Sequence, residues 1–221
     1  MSKRTKLKDR TLPQYSRGEE IMNMVTHIVG GGLGLVALVL CLLRAKDVAS
    51  IVGCWIYGIS MMALYAVSSI YHGLRPSVGK KVMQVIDHCT IYFLIAGTYT
   101  PILLTSFRQT YPWICWGLLV LEWGLVSVAV TLTAIDLKKY TVFSMICYIF
   151  LGWGIAFFLP QTLQVIGRSG FMLLLGGGIA YTVGAVLYGV GSRKPWLHSV
   201  FHVFVVLGSV LQFLAVWLYV L

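Results

Sequence analysis

The chain has 221 residues, of which 58% are hydrophobic and only 11% are charged. Its mean hydropathy of +0.85 lies far outside the range of a soluble domain. The formal net charge is +10, but the basic residues flank apolar segments, where anionic lipid headgroups attract them. Composition therefore predicts an integral membrane protein, and we expect no nucleic-acid partner.

Apolar runs follow one another along the chain, each close to the roughly 20 residues that cross the hydrocarbon core as a helix. They cover residues 22–43, 49–72, 83–106, 113–135, 142–159, 170–191 and 197–220. The connections carry turn residues and are too short to hold an extramembrane domain. The sequence predicts an all-α fold, a single seven-helix transmembrane domain at 21–221 that follows a basic cytoplasmic tail at 1–20.

Basic residues are concentrated on one predicted side of the membrane. The side of the N-terminus carries Lys3, Arg4, Lys6, Lys8, Arg10, Arg17, Arg75, Lys80, Lys81, Lys138, Lys139, Arg193 and Lys194. The opposite side carries only Arg44, Lys46, Arg108 and Arg168. Because Lys and Arg near span ends are retained in the cytoplasm, we expect a cytoplasmic N-terminus and, after seven crossings, a C-terminus outside.

Small residues recur at four-residue spacing in two predicted spans. Gly30 and Gly34 lie in the first, and Gly176, Ala180 and Gly184 lie in the sixth. Such stripes allow helix backbones to approach closely in lipid. They predict packing faces.

Ionisable side chains are costly inside a bilayer, yet several fall at one predicted membrane face of three spans. His198 and His202 are one helical turn apart and share a helix face, as Ser68 and His72 do, and Asp87 enters with the third span. Three imidazoles and a carboxylate suit zinc. The alternative is that each histidine hydrogen-bonds a neighbouring backbone or extends to the interface. The shared depth on three helices favours a metal site.

Three histidine ligands leave one position for water, as in catalytic zinc sites, where the metal lowers the pKa of that water towards about 7. The segment from His198 to His202 contains no glutamate that could act as a base. Asp87 is the nearest candidate to accept the water's proton, and Ser68 could hydrogen-bond an oxyanion or a ligand. A structural zinc fits the same residues, and the sequence leaves that choice open.

Other polar residues are assigned supporting or open roles. Glu20, Asn23 and His27 lie at the inner end of the first span, where helix capping and support of the metal ligands are favoured over catalysis. His88 points about 100° away from the preceding residue and is left out of the zinc shell. Glu122, towards the outer side of the fourth span, is either protonated, bonded to a neighbouring helix or part of a polar pocket.

Five segments resemble those of bacterial hemolysin III proteins, which belong to the progestin and adipoQ receptor family with the adiponectin receptors. They are Glu19-Glu20-Ile21-Met22-Asn23 with His27, Ser68-Ser69-Ile70-Tyr71-His72, Ile86-Asp87-His88, Ala96-Gly97-Thr98-Tyr99-Thr100-Pro101 and His198-Ser199-Val200-Phe201-His202. The resemblance covers nearly the whole chain from Glu19. It implies seven helices, an internal N-terminus and an inner-leaflet zinc site, with His72, His198 and His202 as ligands. It further implies that Asp87 acts through the zinc-bound water and that Ser68 completes the motif.

The resemblance implies several functions. Receptor members are associated with zinc-dependent hydrolysis of ceramide-type lipid amides, bacterial members have names that imply cytolysis, and some relatives are associated with membrane lipid or energy homeostasis. The favoured hypothesis is a zinc-dependent hydrolase of lipid amide or ester bonds in a bacterial cytoplasmic membrane. The alternatives are a pore-forming cytolysin or channel and a non-catalytic homeostasis factor or sensor. A membrane lipid is the expected partner, no protein hormone is expected, and the oligomeric state is left open.

Overall fold

The computed structural model describes residues 5–191 and 194–221, so the predicted topology signals at Lys3, Arg4 and Arg193 lie outside the described residues. Helices and connecting turns make up the described part, without a β-strand. The long α-helices are α1 Arg17–Arg44, α2 Val48–Gly73, α3 Val78–Pro101, α4 Pro112–Ile135, α5 Thr141–Gly152, α6 Leu159–Gly191 and α7 Leu197–Ala215. The all-α prediction is confirmed.

Six helical segments in the described part are long and apolar enough to cross a membrane. Five of them correspond to predicted spans one to four and seven. The remaining segment, Thr141–Val190, is 50 residues long and covers both the predicted span 142–159 and the predicted span 170–191. The number of crossings therefore depends on the path of this segment.

The segment Thr141–Val190 changes direction instead of forming one rod. The α-helix α5 ends at Gly152 after 12 residues, and a 3-10 helix, Gly154–Phe158, follows it. The sequence predicted one span over 142–159 and a connection after it, whereas residues from Leu159 onward are helical again. A second bend lies at Gly167, whose φ of 69° is in the left-handed region that glycine tolerates.

After the two bends the chain returns to the level of Tyr148 in α5. The Tyr148 hydroxyl, in α5, donates to the backbone carbonyl of His88 at 2.7 Å. The Tyr188 hydroxyl, near the end of α6, lies 3.0 Å from Nε2 of the same histidine. Residues 40 apart along the chain therefore contact one residue of α3, so this segment runs out and back.

The third predicted span extends beyond Pro101. This proline has no N–H group and its ring clashes with the preceding turn of an α-helix, and a π-helical stretch, Ile102–Phe107, takes over there. The α2 helix approaches this point very closely. A Cβ atom added to Gly53 would lie only 2.8 Å from Pro101 Cα. Glycine at this position thus allows α2 and α3 to pack backbone against backbone.

The predicted small-residue stripes form packing faces, which confirms that interpretation. A Cβ atom on Gly30 would lie 2.5 Å from the Tyr65 ring of α2, and one on Gly184 would lie 3.3 Å from Phe201 of α7. The pairs α1 with α2 and α6 with α7 are accordingly in close contact.

The beginnings of α1 and α7 are joined at the end of the bundle that holds the histidines. Ser16 caps α1 and forms a reciprocal capping box with Glu19. The second carboxylate oxygen of Glu19 accepts a hydrogen bond from the Trp196 backbone N–H, at 2.7 Å, directly before α7 starts. One glutamate therefore caps its own helix and fixes the start of the helix that carries His198 and His202.

Candidate metal centre

The three predicted histidine ligands meet at one end of the bundle. His72 lies in the last turn of α2, and His198 and His202 lie in the first turns of α7. His198 Nε2 is 3.4 Å from His72 Nε2 and 3.1 Å from His202 Nε2. His72 and His202 are each only 2% exposed. Among the described residues, these three form a cluster in which one ligand atom of each lies within 4.8 Å of the others, so the cluster could hold a metal ion.

The spacing of the ring nitrogens fits a small tetrahedral ion. Zinc–nitrogen bonds of 2.0–2.1 Å at tetrahedral angles place neighbouring ligand nitrogens about 3.3 Å apart. The two Nε2 separations around His198 are 3.4 and 3.1 Å. An all-imidazole set also suits copper or nickel, so the geometry supports a transition metal without choosing zinc.

The orientation of His72 is set by a buried charged network. Its Nδ1 atom lies 2.7 Å from Glu20 Oε2, and the Asn23 amide lies 3.4 Å from the same nitrogen. The other carboxylate oxygen of Glu20 accepts a hydrogen bond from Lys80 Nζ at 2.5 Å, and Lys80 also donates to the Leu74 carbonyl at 3.0 Å. A carboxylate on Nδ1 holds the proton there and leaves the Nε2 lone pair for a metal.

His27, the third residue predicted to support the ligands, acts by packing. Its ring stacks on that of His202, with centroids 3.8 Å apart, and the edge of Tyr65 meets it at 5.0 Å. His27 is 3% exposed, and neither of its ring nitrogens has a hydrogen-bond partner in the described part of the chain. The stack restricts the His202 ring to the orientation that faces His198.

Ser68 and Asp87 lie beside each other, one turn of α2 away from His72. The Ser68 side chain interacts with the Asp87 carboxyl group, and both line a cavity that His198 and His202 also line. Asp87 does not belong to the cluster of mutually close ligand atoms. Its role through a water molecule stays a prediction, as does the role of Ser68.

The cavity continues from this polar end into the bundle between α3, α5, α6 and α7. Its walls are mostly apolar and aromatic, with Leu94, Phe171 and Val205 among them. It reaches as far as Gly152 and Trp153, where α5 ends. The arrangement therefore places a polar cluster at the end of a long apolar cavity.

Three residues near the cluster were not predicted from the sequence. Tyr15 stacks on His198 with centroids 4.8 Å apart, Lys80 bonds Glu20, and Tyr188 lies 5.7 Å from His198, ring to ring. Tyr15 precedes α1 in a segment without any periodic pattern. Lys80 contributed to the sequence analysis only as one of the basic residues that predict the cytoplasmic side. The sequence offered no feature that separated these side chains from others of their type.

His88 is engaged elsewhere. Its Nδ1 lies 2.8 Å from the carbonyl of Gln84, a preceding residue of the same helix, and its Nε2 lies 3.0 Å from the Tyr188 hydroxyl. Both ring nitrogens therefore have partners outside the histidine cluster.

Known proteins are similar to this chain over almost its whole length. Residues 15–213 match a family model described as Haemolysin-III related. The chain is 35% identical over 206 residues to "Hemolysin-3" of Bacillus cereus, with 92% of each protein covered. It is 35% identical over 204 residues to "Hemolysin-3 homolog" of Bacillus subtilis (strain 168), with 91% of this chain and 94% of that protein covered.

A human protein is also similar. The chain is 28% identical over 178 residues to "Monocyte to macrophage differentiation factor" of Homo sapiens, which covers 75% of this chain and 69% of that protein. The three histidines, Ser68 and Asp87 all lie inside the range that the family model matches. The resemblance seen in the sequence is thus confirmed, and the chain belongs to the haemolysin-III-related family.

Proposed function

We propose that this protein is a zinc-dependent hydrolase that cleaves an amide or ester bond of a membrane lipid at the cytoplasmic leaflet. One observation carries the proposal: a single cavity has Ser68, Asp87, His198 and His202 at one end and mainly apolar walls along the rest. A lipid could place a hydrocarbon chain against those walls and its carbonyl group at the polar end. Apolar burial supplies binding energy in such a site, and a few polar groups fix the orientation.

The residues at the polar end have complementary roles in this proposal. A zinc ion bound there would supply Lewis acidity and a water molecule of lowered pKa. Asp87 accepts the proton of the attacking water and returns it to the leaving group. Ser68 donates its hydroxyl hydrogen to the Asp87 carboxylate at the start. Once Asp87 has taken the proton of the water, it can donate to Ser68 Oγ, and the Ser68 hydrogen is then free to bond the developing oxyanion. Glu20 holds His72 through Nδ1, Asn23 lies beside the same nitrogen, and the ring of His27 stacks on His202.

We further propose seven crossings, with a cytoplasmic N-terminus and the C-terminus outside. The out-and-back path of Thr141–Val190, in which Tyr148 and Tyr188 both reach His88, supports two crossings in that segment. The uneven distribution of basic residues supports the orientation. Bacterial relatives that match over nine-tenths of their length support a bacterial cytoplasmic membrane.

The orientation predicts the activity of alkaline phosphatase fusions, because this enzyme is active only outside the cytoplasm. A fusion after Leu221 should be active, and a fusion after Asp136, which follows four crossings, should be inactive. Six crossings would place both fusion points in the cytoplasm. An inactive but fully expressed fusion at Leu221 would therefore rule out the seven-crossing arrangement.

The histidine cluster predicts about one zinc per chain after purification in detergent without chelators. His202→Ala should lose most of it, because two facing ring nitrogens cannot close a tetrahedral site. His88→Gln is the matched control, since that histidine bonds Gln84 and Tyr188 and should leave the zinc content unchanged. The measurement is elemental analysis per mole of folded protein, and metal-free wild type would contradict the prediction.

We expect the substitution Glu20→Gln to weaken metal binding while the protein still folds. The amide removes the negative charge that faces His72 Nδ1 and the ion pair with Lys80. Loss of such a carboxylate partner weakens metal affinity by roughly 10–100-fold. Competition with a fluorescent zinc chelator measures the change, and Asp47→Asn, whose carboxylate pairs with Arg108 elsewhere, is the control. Equal affinities in wild type and Glu20→Gln would show that the carboxylate does not tune the site.

We expect the substitution Asp87→Asn to abolish hydrolysis while the protein retains its zinc. General-base catalysis contributes roughly 10²–10⁴-fold to a rate, so the release of fatty acid from a cleaved lipid should fall by that factor. Wild type, Asp87→Asn and Asp47→Asn are compared in nanodiscs that contain N-acyl amide lipids or acyl ester lipids. A zinc-loaded wild type that releases no fatty acid from either class would favour a structural metal and overturn the hydrolase proposal.

A further inference from the structure

A second pocket, the outer pocket, opens between α4 and the bend that follows α5. Its lining is apolar and aromatic except for Glu122, the one ionisable side chain among the lining residues. Trp113 at its edge is 91% exposed and Phe157 is 74% exposed. Because these helices are long and apolar enough to cross a membrane, the exposed aromatic rim faces lipid. Long hydrocarbon chains therefore have direct access to the pocket.

Glu122 is an isolated acid in an apolar place. It is 1% exposed, and its Oε2 atom has no hydrogen-bond partner in the described residues 5–191 and 194–221. It lies ten residues after Pro112, the first residue of α4, or about 15 Å along the helix. This distance is half of the roughly 30 Å hydrocarbon core. A bare carboxylate at that depth is costly, and intramembrane acids of this kind mark functional sites.

The Tyr99 hydroxyl, which bonds the bend beside Glu122, has no hydrogen left to donate to the carboxyl group. The Tyr99 hydroxyl accepts a bond from the Ile155 N–H at 2.9 Å and donates to the Gly152 carbonyl at 3.2 Å, so its hydrogen is already used. A Cβ atom on Gly154 would lie 3.1 Å from Glu122 Oε1, which places the carboxyl group directly against the bend. The carboxyl end of α5 carries partial negative charge, and the start of the 3-10 helix at Gly154 carries partial positive charge, so the two helix ends oppose each other here. The ionised carboxyl group itself favours a cation.

We propose that the outer pocket binds a lipophilic ammonium, with its charged head at Glu122 and its hydrocarbon tail against the aromatic rim. An ammonium both donates hydrogen bonds and neutralises the carboxylate, and it is attracted to aromatic faces. A divalent metal ion would need more oxygen ligands than one carboxylate provides. An anion would meet the carboxylate with the wrong charge.

The outer pocket is separate from the candidate metal centre. Gly152, Trp153 and Ile155 line the central cavity, whereas Gly154 and Glu122 line the outer pocket. Only the bend after α5 lies between the two spaces. Amine binding does not require the metal or the proposed hydrolysis, so it can be tested in metal-free protein.

Dicyclohexylcarbodiimide tests the site, because it reacts with protonated carboxyl groups in apolar surroundings. The acid adds across one C=N bond of the reagent and rearranges to an N-acylurea, so the labelled peptide gains the whole mass of the reagent. Mass spectrometry of the full-length protein in dodecylmaltoside should find the adduct on Glu122 and not on the exposed Asp47. No adduct on Glu122 would overturn the proposal.

Protection from the reagent identifies the ligand class. N,N-Dimethyldodecylamine is protonated at neutral pH and, as a tertiary amine, forms no stable amide with the activated carboxyl group. At roughly ten times its dissociation constant it fills about nine-tenths of the sites, so the labelling of Glu122 should fall about tenfold. Dodecanol has the same tail without the charge and should leave the labelling unchanged. Equal protection by both compounds, or protection by neither, would contradict ammonium recognition.

Two variants test whether the ligand binds in the outer pocket. Gly154→Val fills the space beside Oε1, so both the labelling of Glu122 and the protection by N,N-dimethyldodecylamine should decrease. Gly124→Val is the matched control, because a Cβ atom there meets nothing within 4 Å. Both proteins should retain the size-exclusion profile and the thermal unfolding midpoint of the wild type in dodecylmaltoside, which report an intact fold without reference to the metal. Wild-type labelling of a folded Gly154→Val protein would show that the reagent reaches Glu122 by another route and would overturn the location.

Discussion

A bilayer has no water to satisfy buried polar groups, so the protein must satisfy them itself. This constraint explains how the helices meet. The bend between Gly152 and Ile155 would leave backbone groups unpaired in the membrane, and the hydroxyl of Tyr99 bonds both sides of it. In the same way, Glu19 caps α1 and accepts the Trp196 N–H at the start of α7. At both of these places a side chain from another helix bonds backbone groups that the interrupted helices leave free.

Lys80 belongs both to the residues that predict the topology and to the candidate metal centre. It belongs to the basic residues that predict a cytoplasmic face, yet it is 3% exposed and bonded to Glu20 at 2.5 Å. A carboxylate that faces a metal ligand inside a membrane needs a counter-charge. The lysine supplies that charge at Oε1 of Glu20, while Oε2 faces His72, so Glu20 can polarise His72 at a tolerable electrostatic cost.

The sequence predicted those parts of the protein that depend on spacing and composition. The histidine cluster was predictable in this way. The HxxxH spacing places His198 and His202 on one helix face, and the span length places His72 at the same depth. The break of the fifth span was missed because an apolar run between Gly152 and Phe158 has the same composition whether it is an α-helix or a 3-10 helix. The contacts of Lys80 and Tyr15 depend on how distant segments pack. No local pattern encodes them.

The two cavities on either side of the α5 bend constrain each other chemically. Hydrolysis of a lipid amide releases a carboxylic acid and an amine, which is a cation at neutral pH, whereas hydrolysis of an ester releases an alcohol. Of these products only the amine is complementary in charge to an acid at mid-membrane, and Glu122 is separated from the central cavity by the few residues of the bend. If both proposals hold, the amide is the more consistent substrate class. The outer pocket would then retain a product that the apolar walls of the central cavity have no charge to hold.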